Sequence, residues 1–415
     1  MEAIALNKVQ EFTKNLNLES NYSNVRTSAA NALENMDFPT TRVEDWKYTR
    51  VAKLSKMSLE TNNVSINDVS EFVVPHLDTN LLVFVNGYFQ ENVSAYNSDE
   101  CTIGLTSQTD VEELGSQLDA NQNVFTALNT AYFTDGFVVK VAKNKVVSKP
   151  IQILNLSKGE NVISNTRNVI VLEQSAEANL ILNSASLDNG VNLNNGVTEV
   201  VVKENAKVNI TKIQNESEHT YNINSEAVYQ EKNSVFTMTT VTVGGQLVRN
   251  NPIIKVDGEN CETNIYGAFI PKGKAHFDNH TVVDHLKSNC ESNELYKGIL
   301  DDQSTGVFNG KVYVRENAQK INAYQSNGNV VLTDTAKINS KPELEIYADD
   351  VKCSHGCTIG QLDEDALFYL RARGLGEASA KNLLVSAFVS DTLDLVKHDE
   401  VVEYIESIFN KKFGW

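Results

Sequence analysis

The sequence has no long apolar run and no surplus of positive charge. Nowhere in its 415 residues do about 18 consecutive apolar residues occur, which excludes a membrane-spanning helix. The N-terminal stretch MEAIALNKVQEFTKNL has neither the basic lead nor the apolar core of a secretion signal, so we expect a cytoplasmic protein. The formal net charge is -18, and the acidic residues are spread along the chain. Because phosphate groups are bound by clustered Lys and Arg, we expect neither nucleic acid nor a membrane surface as a partner.

Cysteine is scarce and does not form a disulfide framework. The five residues are odd in number and, apart from the last two, widely scattered: Cys101, Cys261, Cys290, Cys353 and Cys357. This spacing differs from that of small secreted domains, so we expect free thiols in a reducing compartment.

Motifs for nucleotide binding and for nucleophilic catalysis are also missing. No Walker-type lysine motif occurs, and GGQLVRNN, which begins at Gly244, lacks the glycine spacing and the βαβ context of a phosphate-binding loop. No nucleophile-elbow motif is found either. If ATP is used, another chain must bind it, and no catalytic residue is predicted.

Residues 1–80 are predicted to form an N-terminal helical region. Apolar residues recur at near-helical spacing in two stretches, Ile4, Leu6, Val9, Phe12 and Leu16, and then Val25, Ala29, Ala32, Leu33 and Met36. Pro39 is predicted to end the second helix. The stretch TTRVEDWKYTRV around Trp46 then either packs on a larger body or meets a partner.

Residues 81–149 are predicted to be a mixed α/β lead-in, with β-type runs LLVFVNGYF and GFVVKVAKN and a turn signal at Asn86 and Gly87. Residues 150–359 are dominated by short alternating runs of Val, Ile, Thr and Asn, which predict a β body. This body repeats at a period of ~27 to 29 residues. The period is carried by Asn205, Asn233, Asn260, Asn289 and Asn317.

A repeat this short cannot bury its apolar side alone, so it must stack on its neighbours, and stacked strand-rich units form a parallel β-helix. Asn at the same point of each coil suits tight corners that need left-handed backbone geometry. A β-sandwich with evenly spaced strands is the alternative.

Residues 360–415 are predicted to form a C-terminal helical domain. LDEDALFYLRARG is one helix stopped by Gly374, GEASAKNLLVSAFVSDTLDLV is a second, and HDEVVEYIESIFNKKF is a third. The fold class expected is therefore mainly β, with a parallel β-helix flanked by helical regions at both ends.

A candidate metal site lies in ELEIYADDVKCSHGCTIG, from Glu343 to Gly360. If this segment is a strand, Cys353, His355 and Cys357 project from one side, since side chains alternate along a strand. Thiolate and imidazole suit iron, zinc or a nascent cluster. The alternative is that the thiols are small buried hydrophobes, or that Gly356 bends the strand so that Cys357 does not join.

Other polar residues are weaker candidates for a metal site or a catalytic site. His276, His280 and His285 form either a second metal site or, on different coils, exposed or core side chains, whereas Cys261 and Cys290 occupy equivalent repeat positions and are expected to pack. A β-helix carbohydrate-active enzyme would need paired carboxylates in a groove. Asp349 and Asp350 are adjacent on a strand and face opposite sides, so they make a poor pair.

Residues Tyr296 to Gly374, which run from YKGILDDQSTGVFNGKVYV to LDEDALFYLRARG, closely resemble the SufB/SufD family of iron–sulfur cluster assembly scaffolds. The element DDVKCSHG, which ends at Gly356, is similar to the SufD branch, and RVEDWKYT from Arg42 resembles the N-terminal region of that branch. The SufB branch usually has a longer chain and lacks the DDVKCSHG element.

The resemblance implies a right-handed parallel β-helix and a non-catalytic scaffold role. It implies three partners: a SufB-like subunit paired through the β-helix, a SufC-like ATPase on the C-terminal helices and, indirectly, a cysteine desulfurase system. A passive assembly subunit with the same partners and no ligand role is the alternative.

The resemblance also implies that iron or a nascent iron–sulfur cluster is held transiently at the SufB interface. Cys353 and His355 match the Cys and His of the family's CSH motif. Cys357 stands where the family often has a small residue such as Ala, which leaves its part open, and whether a flavin binds is open as well.

Overall fold

The computed structural model describes residues 8–18, 21–97 and 99–414. The N-terminal part contains, in chain order, α1 (Lys8–Thr13), α2 (Ser23–Leu33), two 3-10 turns (Glu44–Trp46 and Leu54–Lys56), β1 (Asn80–Val85), β2 (Tyr88–Phe89), a third 3-10 turn (Glu91–Val93), β3 (Thr102–Leu105) and α3 (Val124–Tyr132). Within these described ranges no helix is long and apolar enough to span a membrane.

A long series of strands follows. They are β4 (Phe137–Val141), β5 (Ile151–Ser157), β6 (Val162–Leu172), β7 (Glu177–Ser186), β8 (Asn192–Val202), β9 (Lys207–Asn215), β10 (Thr220–Gln230), β11 (Val235–Thr242), β12 (Leu247–Val256), β13 (Glu262–Phe269), β14 (His276–His285), β15 (Glu291–Leu300), β16 (Thr305–Val314), β17 (Ile321–Val331), β18 (Lys337–Ile346) and β19 (Val351–Gly360). The chain then forms α4 (Glu364–Ala372), α5 (Glu377–Leu393) and α6 (Asp399–Phe413).

The strands build two sheets that wind around one interior. The odd-numbered strands from β19 down to β5 lie side by side and continue into β1 and β2, while the even-numbered strands from β18 down to β4 continue into β3. Neighbours pair in parallel, except that β1 pairs with β2 and β3 pairs with β4 antiparallel. Each turn of the chain thus adds one strand to each sheet. The predicted parallel β-helix is confirmed, and the β-sandwich alternative is wrong.

Asparagines form a column at one corner of the solenoid, as the sequence predicts. Four of them have φ angles between 57° and 62°, namely Asn205, Asn233, Asn260 and Asn289. The amide of Asn260 donates to Asn233 Oδ1 at 3.1 Å, and that of Asn233 donates to Asn205 Oδ1 at 2.9 Å. The prediction for Asn317 is wrong, because the next coil is longer and Lys320 takes the left-handed corner position, with φ 58°.

The N-terminal helices end earlier than predicted, the first at Thr13 instead of Leu16. In α1 the side chains of Val9 and Phe12 are buried, and Leu16 is buried just after it, whereas Ile4 and Leu6 of the same predicted helix lie outside the described residues. The second helix ends at Leu33 and not at Pro39. The chain leaves the helix axis earlier because Phe38 turns inward, where its ring lies 5.2 Å from that of Phe12.

Helices cover both sheets on the outside. The N-terminal segments pack on apolar residues of the even-numbered sheet such as Ile163, Leu193 and Ile223. The C-terminal helices pack on apolar residues of the odd-numbered sheet such as Ile213, Val241 and Ile299. The three predicted C-terminal helices are present as α4, α5 and α6.

The interval 81–149 contributes strands to the solenoid. β1 pairs with β5, and β4 pairs with β6, so these strands belong to the same two sheets as the later ones. The turn signal at Asn86 and Gly87 is confirmed, because both residues have positive φ angles, 53° and 81°, between β1 and β2.

Candidate functional site at the open end of the solenoid

The two ends of the solenoid differ. Short antiparallel strands, β2 and β3, close the first coil, whereas β18 and β19 are the last members of their sheets in the part of the chain that the structure describes. Most of β19 is exposed. The outer edge of a terminal strand presents backbone N–H and C=O groups that can pair with another chain. The last coil is therefore an open end.

The candidate ligands lie on β19 in line with buried residues of β17. The register pairs Ala323 with Cys353, Gln325 with His355, and Asn327 with Cys357. The three β17 partners are 1%, 3% and 1% exposed, which places them on the inner side of the solenoid. Cys353, His355 and Cys357 share that inner side, and Ser354 and Gly356 lie on the outer side.

No coil covers these side chains, so they differ in exposure. Cys353 is half-buried against the solenoid core, whereas His355 and Cys357 are exposed. The strand keeps its register across Gly356 up to Gly360, so the predicted alternative of a bend at Gly356 is not found. Neither Cys353 nor His355 is sealed within packed side chains.

The geometry limits what a single chain can hold. Alternate strand residues lie ~6.6 Å apart, so Cys353 and Cys357 are ~13 Å apart along the strand. Metal–ligand bonds of ~2.0 to 2.3 Å cannot bring all three side chains to one ion, although a neighbouring pair can share one. Among the described residues, no group of three or more His, Cys, Asp or Glu side chains is placed to hold a metal. β19 thus offers part of a ligand set, and the metal-binding role of these residues stays a prediction.

Burial opposes ionisation of the one half-buried thiol. It raises the pKa of Cys353, and a backbone hydrogen bond from Ala323 works in the opposite direction. Because the thiolate is the form that binds metal, binding there would release a proton.

Sequence reasoning missed the polar layer beneath the candidate ligands. Gln325 donates to Glu294, and Ser340 on β18 donates to Asn327 Oδ1 at 2.7 Å. The available signal was the alternation of Ala323, Gln325 and Asn327 in the preceding coil. These three β17 residues alternate in the same way as Cys353, His355 and Cys357 on β19, but only the strand register shows which residue lies beside which.

The three histidines lie on one strand, β14, so the prediction that they occupy different coils is wrong. His276 Nε2 lies 2.8 Å from Thr49 Oγ1, and His280 lies beneath the N-terminal segment. His285 is buried inside, 3.0 Å from Ser292 Oγ. Burial lowers the pKa of His280 and of His285 to about 4, which keeps both imidazoles neutral. They act as packing groups, which was one of the two alternatives.

Two other features singled out in the sequence, the pair Cys261 and Cys290 and the RVEDWKYT segment, contribute to packing. Cys261 and Cys290 are 2% and 0% exposed in consecutive coils, which confirms that they pack. Within the RVEDWKYT segment, the Trp46 ring lies 4.0 Å from the guanidinium of Arg249 on β12, and the hydroxyl of Thr49 donates to Asp278 on β14 at 2.5 Å. That segment therefore packs on the even-numbered sheet.

Comparisons with known proteins show the family of this chain. Residues 155–388 match the family model "SUF system FeS cluster assembly, SufBD core domain", and residues 9–153 match "SufBD protein N-terminal region". A relative from Synechocystis, an iron–sulfur cluster assembly SufBD family protein, is 33% identical over 90% of this chain and 87% of its own. The iron–sulfur cluster assembly protein SufD of Escherichia coli is 27% identical over 88% of this chain and 87% of its own. The chain belongs to the SufBD family of iron–sulfur cluster assembly proteins.

Proposed function

We propose that this chain is a non-catalytic scaffold subunit of the SufD type in a cytoplasmic Suf complex. In this proposal it pairs with a SufB-like subunit through the open end of the solenoid and carries a SufC-like ATPase on its C-terminal helices. A cysteine desulfurase system supplies sulfur indirectly. The observation that carries the proposal is that β19 is an uncovered edge strand with Cys353 and His355 on its inner side.

The incomplete ligand set supports a shared site. Because β19 can direct only a neighbouring pair of side chains at one ion, a nascent cluster or iron needs further ligands from a second surface. A related subunit paired end to end with this one would place its own last coil at that position. His355 and Cys353 are the ligands we expect from this chain, and Cys357 is a third candidate.

Exposed apolar side chains suit two separate docking surfaces. Ile359, at the end of β19, is 56% exposed on the inner side of the open end. On the C-terminal helices, Phe368 is 74% exposed, Tyr369 58% and Leu383 50%. Large exposed apolar groups are typical of protein–protein contacts when they cluster. ATP binding by the partner would then move these helices relative to the solenoid and bias the paired end between two states.

The ligand role is tested by His355→Ala in a co-expressed complex, with iron and acid-labile sulfide measured per complex. We expect loading to fall while the subunits still co-purify, since His355 is exposed and supports no packing. His219→Ala removes another exposed histidine and is the matched control. Unchanged loading in the His355 variant would leave the passive assembly subunit as the better account.

The two docking surfaces are tested by reciprocal variants. Ile359→Glu is expected to release the SufB-like subunit and retain the ATPase, and Phe368→Glu is expected to do the reverse. Val146→Glu is the control, because Val146 is 58% exposed and lies far from the open end along the chain. Loss of both partners from one variant, with the fold intact by circular dichroism, would contradict separate surfaces.

A further inference from the structure

A chain of hydrogen bonds crosses the solenoid interior and stops at an atom without a partner. Thr281 donates to Glu294 Oε1, and Gln325 Nε2 donates to Glu294 Oε2 at 2.5 Å. These side chains are buried, at 0%, 5% and 3% exposure for Thr281, Glu294 and Gln325. The Oε1 atom of Gln325 is buried and has no hydrogen-bond partner among the described residues. A buried acceptor left without a donor destabilises the folded state, so a donor is expected next to it.

The strand register makes His355 the neighbour of Gln325 on the next strand. Glu294 on β15 pairs with Gln325 on β17, which pairs with His355 on β19. Adjacent strands lie ~4.8 Å apart, so the three side chains form a row. Burial raises the pKa of the Glu294 carboxyl to about 7, so above that pH it is ionised and only accepts hydrogen bonds. The Glu294 contact then fixes the amide nitrogen of Gln325 toward β15. The amide oxygen is left for β19.

The neighbouring groups do not supply the missing donor. Asn327, the next inner residue of β17, uses its amide nitrogen on Tyr296 O at 3.2 Å. On the opposite sheet Gly310 faces the carboxamide, and a Cβ added there would lie 2.3 Å from Gln325 Nε2. Glycine makes room for the carboxamide and brings no donor side chain. An imidazole N–H of His355 is the donor that remains in the row.

We propose that Gln325 is a positioning residue, whose Oε1 accepts a hydrogen bond from His355 and thereby fixes the imidazole tautomer that presents its other nitrogen to a metal at the open end. This inference rests on the proposed function for the identity of the ligand bound by His355. Histidines that bind metals usually donate their second N–H to a carbonyl or carboxylate, which fixes both the tautomer and the ring orientation. Glu294 and Thr281 in turn hold the carboxamide.

The tautomer is measured on the metal-free, full-length protein by long-range proton–nitrogen NMR of labelled histidine. Spectra at pH 8.5 keep an ordinary imidazole, with a pKa of ~6.5, neutral. His355→Asn identifies the resonances among the seven histidines. We expect one tautomer in the native protein, one in E294Q/Q325E, in which amide and carboxylate are exchanged, and a mixture in E294Q/Q325M, which has no oxygen acceptor at position 325.

The two double variants differ only at position 325, where one has a charged oxygen acceptor and the other has none, and neither leaves an unpaired buried carboxylate at position 294. E294Q alone reports any effect of the shared background. A mixture of tautomers in the native protein, or a single unchanged tautomer in E294Q/Q325M, would overturn the inference.

Metal binding is then measured with Co²⁺, whose thiolate and imidazole complexes absorb visible light. We expect E294Q/Q325M to bind Co²⁺ about 10- to 100-fold more weakly than both E294Q/Q325E and the native protein, whose acceptor at position 325 is uncharged. Equal affinities would overturn the metal-directed part of the inference. If the native chain binds no Co²⁺, alone or in its complex, while the tautomer follows Gln325, then the proposed ligand role of His355 is wrong and the positioning contact stands.

Discussion

Glu216 makes the stability of the solenoid depend on pH in a predictable direction. It is 2% exposed and accepts hydrogen bonds from the amides of Asn194 at 2.5 Å and Asn222 at 2.6 Å. Burial is the largest influence and raises the pKa of its carboxyl from 4.5 to about 7. Between pH 4.5 and 7 the unfolded chain releases the proton while the folded chain keeps it, so this group lowers stability as the pH rises through that range.

The magnitude follows from the pKa values. A tenfold change in proton affinity corresponds to about 1.4 kcal/mol, so the rise from 4.5 to about 7 corresponds to about 3 kcal/mol. Glu216→Gln removes the titration and keeps the shape. We expect the variant to match the native protein most closely near pH 4 and to gain stability relative to it up to pH 7, by at most about 3 kcal/mol.

The assay is urea unfolding of both proteins at several pH values from 4 to 8.5, with the slopes compared to confirm that only the midpoints change. Lys412, whose own pKa burial lowers to about 8, favours the ionised form of Glu216. Lys412→Met is therefore expected to move the pH range of the difference upward. A difference between Glu216→Gln and the native protein that stays constant from pH 4 to 8.5 would refute the reasoning.

Three further substitutions, two of them with a matched control variant, probe the architecture by urea unfolding. Trp46→Ala should cost about 3–5 kcal/mol, since it removes a buried aromatic that joins the N-terminal segment to the even-numbered sheet; equal midpoints would show that the segment contributes nothing. Asn233→Ala should cost about 1–2 kcal/mol because of its left-handed backbone, whereas Asn233→Gly should cost less. Gly267→Ala should cost about 1–3 kcal/mol, because the new Cβ would lie 2.2 Å from Tyr296 Cε1, while Gly356→Ala, with no atom within 4 Å, is its control.

The repeat could be predicted from the sequence because each coil needs the same tight turn at its corner. A tight turn with left-handed backbone favours Asn, and stacking places these turns one above the other, so Asn205, Asn233, Asn260 and Asn289 mark the period. Asn317 misled the prediction because coil length varies while strand pairing is conserved along the stack. Only the register shows that Lys320 occupies the corner in that coil.

The alternation of the candidate ligands along their strand could be predicted from the sequence, but the residues that surround them could not. Side chains alternate along any strand, so Cys353 and His355 could be placed together from spacing alone. The side they occupy depends on pairing with Gln325, which no local pattern reveals. The three histidines were misplaced for a related reason. The inner side of β14 carries the buried polar residues Asn279, Thr281 and His285 beside its apolar ones, so its sequence does not show a clean polar–apolar alternation.

The composition of the two terminal strands bears on which of them continues into a partner. Pro342 lies within β18 and has no backbone N–H, and proline is typical of edge strands that do not extend a sheet. β19 contains no proline, and its residues are mostly exposed. β19 is thus better suited to continued strand pairing, and it is also the strand that carries Cys353 and His355. Under the proposed function, pairing through this edge would bring a second chain within reach of Cys353 and His355, so that assembly and the proposed metal binding would occur together.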